Sequence, residues 1–95
     1  MNILICCEFY SPSVGGAEKV AEQLAKNFKI FGHNVSIATS KYNKKLLKSE
    51  ILDNIKIHRF EISGNFTKGL RGNVNEYQKF LTSNKYDVIL FYAAQ

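Results

Sequence analysis

The front third of the chain limits its fold more than any other stretch. Ile3-Leu4-Ile5-Cys6-Cys7 is a short continuous apolar run, and Val35-Ser36-Ile37-Ala38-Thr39 is a second. Between them Ala17, Val20, Ala21, Leu24, Ala25, Phe28 and Phe31 fall on one helical stripe, with Glu18, Lys19, Glu22, Gln23, Lys26 and Lys29 on the wet side. Glu22 precedes Lys26 by one helical turn, the favourable order for an ion pair. Gly32 occupies the usual position just past a helix end, and Lys29 lies near the negative end of the dipole. Only Gly32, His33 and Asn34 separate the helix from the second run. Strand, helix and strand therefore form a βαβ unit, which closes right-handed and makes its two strands parallel. Short runs rich in Ile and lacking polar alternation suit strands buried on both faces.

The rest of the chain continues the alternation. Lys41 to Ser49 sets Lys41, Lys44, Lys45 and Lys48 around Leu46 and Leu47 and reads as an exposed loop or short helix, its lysines a solvated face. Ile55-Lys56-Ile57-His58-Arg59-Phe60 predicts a third strand after a turn at Asp53-Asn54. Gly64 to Gly72 reads as a flexible link. Its Gly64-Asn65-Phe66-Thr67-Lys68-Gly69-Leu70-Arg71 begins like a P-loop, but Leu70 stands where the phosphate-binding lysine must be. Asn75 to Asn84 predicts a second helix with Tyr77, Phe80 and Leu81 on one side, and Asp87-Val88-Ile89-Leu90-Phe91-Tyr92 a fourth strand. The order β-α-β-(basic loop)-β-α-β predicts an α/β fold: a Rossmann-like three-layer α/β/α domain whose parallel sheet has strand order 3-2-1-4. The fourth strand would be an edge, yet it carries no Lys, Pro or inward charge to block pairing. Either further strands or a second copy pairing through 87–92 would cover it.

Composition narrows the setting. At 95 residues, with 45% hydrophobic and 22% charged residues, the chain is one small globular domain rather than a disordered segment. A formal charge of +5 permits contact with phosphates or an anionic membrane surface without demanding either. No apolar run nears the roughly 20 residues that cross a bilayer. Met1-Asn2-Ile3-Leu4-Ile5 has no basic lead, so a secretory signal is not expected. Cys6 and Cys7 are adjacent and cannot staple a fold; they read as small buried residues of a reducing, cytoplasmic compartment.

The stretch Phe9-Tyr10-Ser11-Pro12-Ser13-Val14-Gly15-Gly16-Ala17-Glu18 joins the first strand to the first helix. Two glycines let the backbone turn tightly and approach a ligand closely. The helix that follows offers free N–H groups and the positive end of its dipole, which together suit a phosphate. Ser11 and Ser13 lie close enough in sequence to donate to such an anion, although serine also serves turns for its own sake. In an open parallel sheet ligands bind beyond the carboxyl ends of the strands, where the strand order reverses. For the order 3-2-1-4 that place is beside Gly15 and Gly16.

This turn resembles the aromatic-Pro-x-x-Gly-Gly-x-Glu passage after strand one in retaining glycosyltransferases of the group 1, family-four type. Phe31-Gly32-His33-Asn34-Val35-Ser36-Ile37-Ala38-Thr39 is similar to their Gly-His-x-Val-x-hydrophobic-hydrophobic-Thr passage, and Ile55 to Phe60 and Tyr86-Asp87-Val88-Ile89 follow in the same order. The first two motifs are the specific ones. The resemblance implies a GT-B architecture, two Rossmann-like domains across a cleft, with the acceptor held mainly by the amino-terminal domain and the nucleotide-sugar donor by the other. It implies that Gly15 and Gly16 approach the donor's diphosphate, with Glu18 beside them. The family's second domain, with its paired glutamates, has no counterpart in these residues, and Ala93-Ala94-Gln95 stand where many members place a His. The chain thus resembles about the first quarter of such an enzyme, inactive alone, with no catalytic residue, metal or cofactor of its own. The binding set for the substrate diphosphate is Ser13, Gly15, Gly16 and Glu18.

The implied function is sugar transfer from a nucleotide-sugar donor to a glycan or lipid-linked acceptor in envelope polysaccharide or glycoconjugate assembly. The implied site of action is the cytoplasm, peripherally at the inner membrane face. Two other classes stand beside it. One is a basic polyanion-binding module using Lys41, Lys44, Lys45, Lys48, Lys68 and Arg71; no nucleic-acid motif accompanies those residues, so nucleic acid is not an expected partner. The other is a self-association module pairing through 87–92. His33 reads as a helix-end residue and His58 as structural, with no second ligand at metal spacing. Glu8, at the end of strand one, lacks a visible acid–base partner.

Overall fold

The computed structural model describes residues 1–7, 10, 16–41, 43–65 and 69–92, at 16–18, 64, 65 and 92 by backbone alone. Among these, β1 (Asn2–Cys7), α1 (Gly16–Ile30) and β2 (Asn34–Ser40) form the front unit. Then come β3 (Ser49–Leu52), β4 (Ile55–Phe60), β5 (Ile62–Asn65), β6 (Gly69–Gly72), α2 (Val74–Ser83) and β7 (Val88–Tyr92). The fold is mixed α/β. Its main sheet has five strands in the order β3-β4-β2-β1-β7. Within it β4, β2, β1 and β7 are mutually parallel, and β3 runs antiparallel along β4.

Strand alternation divides the interior in two. Ile3, Ile5 and Cys7 of β1, Val35 and Ile37 of β2, and Ile55 and Ile57 of β4 point to the side where Ala21, Leu24, Ala25 and Phe28 of α1 pack. Leu4, Cys6, Ala38 and Phe60 point to the other side, against Tyr77, Phe80 and Leu81 of α2. A strand apolar on both faces needs a cover on each, and the two helices supply them. The stripe of α1 is narrower than its sequence suggests. Val20 is exposed, and Phe31, expected in the core, is 78% exposed. The helix ends one residue before Phe31. The Gly32 amide bonds to the Lys29 carbonyl and the His33 amide to that of Phe28, a Schellman closure with Gly32 at φ +88°. The chain is reversed at that point, and Phe31 is carried off the buried face.

Two segments differ from the sequence reading. The stretch read as a basic loop or short helix gives way at Ser49 to β3. Asp53 and Asn54, at φ 51° and 63°, make the two-residue hairpin turn that folds β3 back on β4. The stretch read as a flexible link contains β6, which pairs with β5 as a separate two-stranded sheet. Gly72 closes that ladder at φ +92° with its α-carbon against the Glu61 carbonyl, leaving no room for a side chain. A side chain and a backbone group tie the chain's two ends together: the Asn2 amide donates to Asp87 Oδ2 at 2.6 Å, and the Asp87 amide to the Asn2 carbonyl at 2.8 Å. Among the described residues no helix is long and apolar enough to cross a membrane.

Candidate functional site

The parallel strands all end on one side of the sheet, at Cys7, Ser40, Phe60 and Tyr92. The connection from β1 to α1 leaves from this end, and β1 is flanked by β2 on one side and β7 on the other. The strand path therefore turns from one direction to the other beside that connection, where open parallel sheets leave a crevice. Gly16 is the first residue of α1. Glu18 is the third, in the turn whose N–H groups face outward, but its side chain lies outside the described residues. Ser13 and Gly15 lie outside the described residues, as do Glu8 and Ser11.

Beneath this end lies a layer of buried polar groups. Thr39, Ser40 and Arg59 are each no more than 3% exposed, and Thr39 pairs with Arg59 in register. The Arg59 guanidinium donates through Nη1 to the Leu47 carbonyl at 3.0 Å and to Glu50 Oε2. A buried cation so held is fixed in position as well as in charge. β4 is two strands from β1, and the guanidinium is held on the far side of β4, by Glu50 on β3 and the Leu47 carbonyl. Tyr10, the described residue within the β1–α1 connection, is 3% exposed and packs in the α1 core. Burial, reinforced by the negative charge of Glu22, pushes its phenol up to about 12, so it stays protonated and serves as an anchor for the turn.

The cysteines are structural here. Burial raises the Cys6 thiol to about 11 against the lowering effect of its hydrogen bond with Tyr77, whose own phenol is raised by burial and by Cys6. Neither Cys6 nor Tyr77 is an ionised nucleophile near neutral pH. His33 accepts from the amino terminus through Nδ1 at 3.1 Å and stands edge-on to Phe28, at the opposite end of the sheet from the glycine turn. His58 stacks at a tilt on Phe80, ring centroids 4.7 Å apart. Sequence reasoning passed over Arg59, although the signal was present. Ile55, Ile57 and Arg59 alternate on one face of β4, so a strand that buries its isoleucines must bury the arginine too.

The α1 terminus offers backbone N–H groups to an anion at the carboxyl end of the sheet, while the charge of Arg59 is already matched by Glu50. Among the described residues the arrangement brings no acid–base pair to that end. Comparison with protein-family models, with curated proteins and with solved structures returns no match.

Proposed function

We propose that this chain is the acceptor-side, amino-terminal part of a GT-B retaining glycosyltransferase, a Rossmann-like three-layer domain with parallel strand order 3-2-1-4. The observation that carries the reading is the position of β1. It lies between β2 and β7, so its connection to α1, which contains Ser13 and Gly15 and leads into Gly16, leaves the carboxyl end of the sheet where the strand path turns. The substrates are a nucleotide-sugar donor and a glycan or lipid-linked acceptor, met at the cytoplasmic face of a membrane. As the glycosidic bond to the donor breaks, negative charge grows on the departing diphosphate. N–H groups of the glycine turn and the α1 terminus stabilise that charge more in the transition state than in the bound donor. Glu18 in the same turn orients the donor or acceptor hydroxyls. Chemistry and donor specificity belong to a second domain, and the 95 residues alone do not transfer sugar.

The test begins with the mass of the natural product carrying this amino terminus, followed by assay of that product for transfer of labelled sugar. Gly15→Val and Gly16→Val keep the N–H groups but put a side chain between them and the diphosphate, and each should lower kcat/KM by about a hundredfold, the scale of one lost anion contact. A natural product of 10.8 kDa, or variants that transfer sugar normally, would sink the reading.

A second reading rests on the β7 edge. Its outer side has no partner strand among the described residues, and Phe91 there is 53% exposed. An apolar edge of this kind pairs readily with another strand. Val88 and Ile89 are half-buried in the two cores, so charging them would damage the fold as well as the edge. Phe91→Lys is the cleaner probe. If the chain is an association module, sedimentation shows a dimer that this change dissolves; a monomer before and after counts against it.

A further inference from the structure

The end of the sheet away from the glycine turn holds a groove that the transferase reading does not use. It has a volume of about 470 Å³ and runs across the amino ends of β1, β2 and β4. Lys29 from the last turn of α1, Lys56 from β4 and Lys85 from the α2–β7 connection converge on it from three elements. No carboxylate lines it, and none of the three lysines is paired with one among the described residues. Of the two acids beside it, Asp87 accepts from the Asn2 amide and Asp53 precedes the lining Asn54 in the β3–β4 turn. At the end of α1 the Lys29 and Phe28 carbonyls are capped by the Gly32 and His33 amides. Three unpaired cations held around one concavity repel each other until an anion joins them. The wall between them is not purely charged. Tyr86, half-buried, packs against Phe80 with ring centroids 6.1 Å apart and turns an aromatic surface to the groove, and Asn54 and Asn84 add amides.

We infer that this groove binds a small phosphorylated ligand, of the class of a hexose phosphate or a nucleoside monophosphate. The lysines take the phosphate and the Tyr86 wall takes the ring. The volume falls in the range of small-molecule sites. A nucleic acid would call for a basic track with a row of exposed aromatics, whereas here the cations surround one cavity. The inference stands apart from the transferase reading, because the groove lies at the opposite end of the sheet from the glycine turn.

The test is a titration of the isotopically labelled chain, followed by amide shifts, with glucose 6-phosphate and with uridine 5′-monophosphate. Glucose, uridine, inorganic phosphate and phosphatidylglycerol vesicles are run in parallel. At least one organic phosphate should bind with Kd of about 0.1–1 mM. The shifts should gather at Asn34, Ser36, Lys56 and Tyr86. Lys56→Gln and Lys85→Gln should each weaken binding about tenfold, the scale of one charge-assisted contact, and Lys44→Gln should leave it unchanged. No shift up to about 10 mM with either organic phosphate would overturn the inference. So would equal binding of inorganic phosphate, binding to vesicles alone, or affinity indifferent to both Lys56 and Lys85.

Discussion

Glu50→Gln should destabilise the domain far more than its place on an edge strand suggests. The Arg59 side chain facing it is fully buried, and that of Glu50 is 24% exposed. Replacing the carboxylate by an amide keeps the shape but removes the negative charge set against a guanidinium that cannot reach water. Breaking a wholly buried pair costs about 3–5 kcal/mol; partial exposure of Glu50 reduces this to about 2 kcal/mol. A domain of this size has only about 5–14 kcal/mol in total, and the loss should lower its melting temperature by about 8–16 °C. The exposed Glu22–Lys26 pair, 3.0 Å apart on α1, is the internal control. Glu22→Gln should cost much less than Glu50→Gln, and less still in high salt. Urea denaturation of both variants at low and high salt measures the contrast, and the double variant with Arg59→Met measures the coupling. If Glu50→Gln costs below about 0.5 kcal/mol, or fades with salt as Glu22→Gln does, the pair is not buried as described and the reasoning fails.

Other expectations follow from single groups. His58 is held below the usual imidazole range by burial, with the positive charge of Lys56 acting in the same direction. The unfolded chain therefore takes up its proton first as pH falls through about 6.5, and stability should decline from there down to the lowered folded pKa. A His58→Phe variant should lack that slope, which a series of urea midpoints between neutral and mildly acid pH would reveal. Ellman's reagent should label Cys6 only at the rate of unfolding, since its thiol is pushed up to about 11; rapid labelling of the folded chain would contradict its burial. Gly72→Ala should lose about 3 kcal/mol or more, because both its φ of +92° and the Glu61 carbonyl oppose a β-carbon. Gly32→Ala, in open space at φ +88°, should lose only about 1 kcal/mol. Equal losses in thermal melts would mean that the hairpin is not packed against Glu61.

The parts of this fold legible in the sequence are those whose burial writes a long pattern. β1, α1, β2, β4, α2 and β7 each announce themselves by apolar spacing, and their alternation points to the mixed α/β sheet. β3 left almost no pattern. It has four residues, Ile51 on it is 64% exposed, and what holds it is its ladder to β4 and the Arg59–Glu50 pair, both made with residues elsewhere in the chain. Its signal was the Asp53-Asn54 turn, which defines a hairpin only if the residues before it are read as strand. β5 and β6 were hidden by their glycines, which weaken strand propensity and suggest a link. At the candidate site the glycine turn is a local pattern that the sequence displays by itself, although Ser13 and Gly15 lie outside the described residues. Arg59 was not legible, because its role depends on which face of β4 is covered.

The bonds between Asn2 and Asp87 span 85 positions of sequence, and β7 joins the sheet by pairing with the first strand rather than with its neighbour in the chain. On the ribosome, β1 and β2 can meet early, but the other edge of β1 stays bare until residue 88 has emerged. Counted from the end of β2 at about 5–20 residues per second, that is an interval of about 2–10 s, in which Ile3, Leu4 and Ile5 form the flank of an unfinished sheet. The edge of β1 is therefore most open to mispairing and to chaperone capture during synthesis, and closed once β7 has paired with it.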